Sequence, residues 1–192
     1  MKLKEKQEKL ERIINSLLLT LGVNLDDANF KDTPNRVTRM FLHFFRGKDD
    51  ADIEKIMGKV FPSKNDQMVI VKDIECFGMC PHHLVPIVYS VTIGYVPQGQ
   101  VIGLSKLARL AIALSSYPKL QEDFTTEIAD AIQHKLMPQG VMVVVKGNHG
   151  CMKYRGVEMD SETITSDCRG VLRDEPEARM EFLELIRWKK KK

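Results

Sequence analysis

With 192 residues, 43% hydrophobic and 29% charged, the chain has an ordinary globular balance and suits one domain with a modest core. No apolar run approaches the roughly 20 residues of a membrane span, and the basic N-terminal stretch spaces its apolar residues as a helix does, so no export signal is read and a cytoplasmic protein is expected. The net charge of +3 comes partly from the run Lys189 to Lys192, read as a solvated tail, so no nucleic-acid partner is expected.

In chain order, residues 5–21 form a predicted amphipathic helix, with Leu10, Ile13, Ile14, Leu17, Leu18 and Leu21 as its apolar stripe. Asp32-Thr33-Pro34 opens a second helix by a capping residue followed by Pro; Val37, Met40, Phe41 and Phe44 are its expected buried stripe, and Gly47 can end it. A short helix fits 51–57. The period then changes to strands over 68–74 and 85–96, the second of which ends at the turn Pro97-Gln98-Gly99-Gln100. Ser105 is the expected cap of a helix to Ser116, and another helix fits 120–136. Strands at 141–146 and 163–172 and a last helix from Pro176 complete the chain. This order predicts an α+β fold with an antiparallel sheet, helices on one face and exposed sheet edges that pairing with further copies could close.

Four cysteines are present, and in a reducing cytosol cysteines beside histidines point to metal before disulfides. Cys80-Pro81-His82-His83 holds three possible ligands in four residues, and His149-Gly150-Cys151 comes after a different strand. Thiolate and imidazole suit tetrahedral zinc. Three ligands would leave a catalytic position open; four, drawn from Cys80, His82 or His83, His149 and Cys151, would close a structural site. Both remain open from spacing alone, as does a chance cluster that holds no metal. Cys76 and Cys168 read as small buried residues, and His43 and His134 as helix-surface residues.

Ser105, Lys106 and Arg109 gather at a helix start, where backbone N–H groups attract anions. Arg36 and Arg39 share a helix face, and Arg155 lies four residues after Cys151. These basic groups could together balance a triphosphate, or be solvated surface. Neither a Walker P-loop nor GxGxxG occurs. Gln121-Glu122 begins a helix; a carboxylate there could take the N1–H and amino group of guanine, or simply be a helix-terminal acid.

Taken together, Asp32 to Val37, Cys80-Pro81-His82-His83-Leu84-Val85-Pro86, Gly94 to Pro97, Val101 to Arg109, Gln121-Glu122, Thr125, His149, Cys151-Met152, Arg155-Gly156, Thr163 and Thr165 resemble the GTP cyclohydrolase I family over about residues 10–187. The resemblance implies the tunnelling fold (T-fold), in which strands of several subunits form a barrel, with an N-terminal helical region over 1–50 and a T-fold catalytic domain over 51–192. It implies a homo-oligomer, a ring-based homodecamer. It implies GTP as substrate, opened and rearranged to 7,8-dihydroneopterin triphosphate with release of formate. By position it assigns Cys80, His83 and Cys151 to Zn2+; His82 and His149 to acid–base work; and Ser105 to the ribose side. It assigns Gln121 and Glu122 to guanine, and Arg36, Arg39, Lys106, Arg109 and Arg155 to the triphosphate. Departures are Pro81 where Glu is usual, Tyr117 and Lys119 for Arg and Gln, and Gly150 for a larger residue.

Two other functions fit the same residues. One is an enzyme of this fold on a related purine nucleotide, or one that stops at ring opening. The other is a non-catalytic module in which zinc stabilises an oligomer.

Overall fold

The computed structural model describes residues 2–48 and 53–188, so the lysine tail and part of the predicted 51–57 helix lie outside the described residues. The chain divides into two compact units, one up to Arg46 and one from Gly47 onward.

In the first unit, α1 (Leu3–Thr20) and α2 (Thr33–Phe44) are joined by a hydrogen bond from Asn35 Nδ2 to Glu11 Oε2 at 3.2 Å. Of the expected α1 stripe only Ile14 is buried, while Ile13, Leu17 and Leu21 are half or more exposed on the single chain. The buried line of α2 differs from the predicted one. It runs through Pro34 and Thr38, Met40 is exposed, and Val37, Phe41 and Phe44 are half-buried. Asp32 makes no side-chain cap; its carboxylate instead faces Arg36 one turn on, at 3.7 Å.

The second unit is built on a four-stranded antiparallel sheet in the order β2-β3-β5-β6. Its strands are β2 (Val69–Met79), β3 (Pro86–Val96), β5 (Gly140–His149) and β6 (Glu162–Gly170). Alternation along β3 and β5 turns Ile87, Tyr89, Val91, Ile93 and Tyr95 together with Val141, Val143 and Val145 into one face. That face carries α4 (Leu104–Ser115) and α5 (Gln121–Leu136), which bury Leu107, Leu110, Phe124, Ile128, Ala129 and Ile132 against it. A short α3 (Ile53–Met57) precedes β1 (Val60–Pro62), and β1 pairs with β4 (Gln100–Ile102) in a two-stranded sheet. Three-residue strands carry too little periodicity to read from sequence.

Two strands run further than their patterns suggest. The strand expected to end at Ile74 continues as β2, because a bulge at Lys72-Asp73 shifts the register there, with Asp73 at φ 59°. An inserted residue breaks the period-2 pattern while the ladder continues. Five further residues, paired as far as Met79↔Pro86, carry the chain to Cys80. β5 likewise continues past Lys146 to His149. Ser105 is not a cap: Gly103 holds that position, and Ser105 is an exposed residue of the first turn of α4.

Helices also occupy part of the second face. After the short α7 (Val171–Asp174), α8 (Pro176–Arg187) packs Phe182 with Leu172, Met142 and Val144. Gly94 makes the approach possible, since a Cβ there would lie 2.6 Å from the Phe182 ring. Lys72 Nζ donates to the Ile186 carbonyl at 3.1 Å and to that of Trp188, closing the end of α8. Phe182→Ala should therefore cost about 3–5 kcal/mol of stability, read as a lower denaturation midpoint with secondary structure retained; a loss below about 1 kcal/mol would show that α8 is not part of the core.

Candidate metal centre and active site

Residues 80–85 form the loop that closes the β2–β3 hairpin. The Cys80 N–H donates to the Val85 carbonyl and the Leu84 N–H to the Cys80 carbonyl, each at 2.9 Å. Leu84 is left-handed at φ 52°, an uncommon conformation for a branched side chain, and it turns the chain back into β3. Pro81 lies beyond the last ladder pair, so its missing N–H removes no strand hydrogen bond, and a fixed φ suits the start of this turn. The loop buries Cys80 and sets His83 Nδ1 3.7 Å from its Sγ.

Cys151 arrives from the other side. Antiparallel pairing aligns His149 with Ile87, just after the loop, and α6 (Gly150–Lys153) begins at once. Gly150 is pressed onto the loop: a Cβ there would lie 2.7 Å from both the Pro86 carbonyl oxygen and Val85 Cγ1. The ligand atoms of Cys80, His83 and Cys151 all lie within 4.8 Å of one another. A tetrahedral zinc with Zn–S of about 2.3 Å and Zn–N of about 2.0–2.1 Å spaces its ligand atoms roughly 3.6–3.8 Å apart, so small shifts would complete the shell. Burial and the neighbouring Cys80 thiol push the Cys151 thiol up, with Arg155 opposing them. Two thiols and an imidazole within reach of one centre are a donor set that fits zinc.

Among the described residues no fourth Cys, His, Asp or Glu joins this group. His82 is exposed, its ring centroid 6.3 Å from that of His83. Cys76 is buried in the core on the helix-covered face of β2, its thiol pushed up to about 11 by burial despite a hydrogen bond with Ser115. Cys168 belongs to the α8 side.

His149 is half-buried beside the cluster, and its Nε2 lies 2.8 Å from Gln121 Oε1. Burial lowers its pKa, while the Glu122 carboxylate pulls it the other way. Tyr89 meets the His149 ring edge-on at 6.4 Å and packs on Phe124 at 4.9 Å. Its phenol is held well above the usual range, mostly by burial, so it stays protonated. Glu122 is exposed on the first turn of α5, and Arg155 is exposed after α6.

Ser105, Lys106 and Arg109 do not join this cluster within one chain. They start α4, just after Ile102, whose N–H bonds the Tyr95 hydroxyl at 3.3 Å. From Ile87 at the metal end to Tyr95 is eight residues of β3, about 26 Å at the usual strand rise. Arg36 and Arg39 belong to the other unit. Sequence reasoning missed Tyr89 and Gly147, which carry no ligand chemistry of their own and are visible only once β3, β5 and α5 are packed.

The profile of the family described as GTP cyclohydrolase I matches residues 10–187. The chain belongs to that family. Among its relatives, GTP cyclohydrolase 1 of Drosophila melanogaster is 44% identical over 92% of this chain and 55% of its own length. GTP cyclohydrolase 1 of Streptococcus agalactiae serotype Ia is 42% identical over 94% of this chain and 97% of its own. The Homo sapiens GTP cyclohydrolase 1 is 45% identical over 90% of this chain and 70% of its own. The chain thus spans about half of the fly protein and nearly all of the streptococcal one.

Within this GTP cyclohydrolase I family member, Cys80→Ala and Cys151→Ala should each lose bound zinc, whereas His82→Ala and His149→Ala should retain it. Metal analysis of the purified variants decides this; stoichiometric zinc in either cysteine variant overturns the ligand set.

Proposed function

We propose that this chain hydrolyses GTP as a GTP cyclohydrolase I, opening the guanine imidazole ring, releasing formate and rearranging the remainder to 7,8-dihydroneopterin triphosphate. The observation that carries this reading is the three-ligand cluster of Cys80, His83 and Cys151 with no fourth protein ligand among the described residues, flanked by the half-buried His149. A structural zinc would have its fourth position filled. When bound, zinc supplies a Lewis acid that makes water a nucleophile near neutral pH. Carbon 8 of guanine accepts that nucleophile only when N7 is protonated, and an imidazole can donate there near neutrality. His149 and His82 are the two histidines beside the cluster that are not ligands, and they carry this proton and those of the later sugar rearrangement and ring closure. Glu122, exposed one residue beyond Gln121, takes the N1–H and 2-amino edge of guanine. Arg155, close enough to Cys151 for its charge to be felt there, faces the triphosphate.

The remaining groups come from a second copy. Ser105, Lys106 and Arg109 lie at the opposite end of the sheet from the metal cluster, so one chain does not hold a complete site. Among the described residues the outer strands β2 and β6 each have a single neighbour, and half the α1 stripe is open. Both are features that association covers. A homo-oligomer, a decamer in this family reading, would bring the α4 start of one copy, and Arg36 and Arg39, to the metal end of another.

Incubation with GTP and zinc should yield formate and the pterin triphosphate by mass spectrometry; ring-opened product without pterin would favour an enzyme stopping at the first stage. Glu122→Gln should lower kcat/KM for GTP and narrow the preference for GTP over ITP and ATP while zinc stays bound, because a site built for those donors rejects bases that lack them. Unchanged base discrimination would remove Glu122 from the guanine pocket.

Shared sites make a separate demand. Cys80→Ala and Arg109→Ala should each be inactive alone, and co-assembled from a mixture of the two they should regain activity, since some junctions then combine an intact metal cluster with an intact Arg109. A mixture as inactive as its components would place every site within one chain.

A further inference from the structure

We propose that Gln121 is a positioning residue: it holds neutral His149 as the Nε2–H tautomer and leaves Nδ1 as the nitrogen that exchanges protons with substrate. This rests on the reading of His149 as a proton carrier.

Gln121 is 2% exposed on the first turn of α5, so its amide must find its partners inside the protein. Its Nε2 donates to the carbonyls of Val145 and Thr163, each at 3.0 Å, with Thr165 Oγ1 sharing at 3.2 Å. Carbonyl oxygens only accept, so the NH2 group must face β5 and β6, and the amide cannot be turned over without opposing oxygen to oxygen.

The threonines reinforce that direction. Thr125 Oγ1 donates its one hydrogen to the Gln121 backbone carbonyl at 2.7 Å. The 2.6 Å contact between Thr125 and Thr165 then requires Thr165 to be the donor, which leaves Thr165 Oγ1 as an acceptor for the Gln121 amide. Every hydrogen in this series of bonds is thereby assigned.

What remains is Gln121 Oε1, an acceptor, 2.8 Å from His149 Nε2. That nitrogen must carry the hydrogen. A neutral imidazole has only one, so Nδ1 bears the lone pair. Gly147, next to Val145 on the same strand face, provides the space: a Cβ there would lie 2.1 Å from Gln121 Oε1 and 3.0 Å from His149 Nε2. Both amide hydrogens of Gln121 are committed to the protein, so recognition of the guanine donors falls to Glu122.

The test uses the full-length, zinc-loaded protein labelled with 15N-histidine. His149 is assigned by difference from His149→Ala, and its ring nitrogens are read at a pH where the imidazole is neutral. The expected spectrum shows one tautomer, protonated at Nε2. Gly147→Ala pushes the Gln121 amide aside and crowds His149 Nε2, both far ends of side chains rather than backbone, and should fold. It should lose that single tautomer and lower kcat by at most the roughly 10²–10⁴-fold that an acid–base group contributes, with KM for GTP and the GTP-over-ITP ratio unchanged. Gln121→Met, which adds nothing beside His149, separates the two effects and should behave alike where it folds. A wild-type His149 protonated at Nδ1 or mixed between tautomers overturns the proposal. So does a Gly147→Ala variant with raised KM and altered base ratio at intact kcat, which would return Gln121 to the guanine pocket. Absence of GTP turnover in the wild type would instead defeat the functional reading, and the nitrogen spectrum would still decide the tautomer.

Discussion

The pairing of β3 with β5 is the constraint on which the site depends. It puts Ile87 opposite His149 and so sets the end of one strand beside the loop that begins the other. Cys80 and His83 lie on that loop, and Cys151 lies one short turn past His149. Side chains alternate along a strand with a period of two, so a slip of one residue would turn Gly147 and His149 to the opposite face. Gln121 would then meet a side chain where it now meets a gap. The apolar run Val141, Val143 and Val145 on the helix-covered face opposes that slip, because it would expose buried residues of β5 while burying Lys146. The core thus specifies the site's geometry as well as the fold's stability.

Electrostatics at the site derive from half-burial. The cluster joins a buried thiol, a partly covered one and an exposed imidazole. The inner side is lined by Tyr89 and Phe124, which cannot supply charge at neutral pH. The outer side carries Glu122 and Arg155, of opposite sign and both in water. The Cys80, His83 and Cys151 donor atoms suit a cation, with the charges of Glu122 and Arg155 nearby. Gly150 keeps the two ligand-bearing segments in contact, and its lack of a side chain is required by the backbone of Pro86.

The basic groups are divided among distant elements. Lys106 and Arg109 are a strand's length from the metal ligands although all belong to one unit. Exposed apolar residues on α1 and outer strands with one neighbour each among the described residues are surfaces that association would cover.

The class of the fold is legible in the amino-acid order alone, because long strands and helices with one apolar face declare their period. The ligand chemistry is legible too, because Cys80-Pro81-His82-His83 and His149-Gly150-Cys151 are local runs whose donor atoms need no distant context to be named. Spacing left open which histidine joins the cysteines. In the packed chain the turn closed by Leu84 brings His83 to Cys80, while His149 ends a strand against Gln121. The bulge at Lys72-Asp73, the β1–β4 pair and the packing of α8 on the second face were illegible for the same reason. Each is specified by a partner far away in the chain, through a missing Cβ at Gly94 or a register shift in β2, and such a partner leaves no periodic trace in the segment itself.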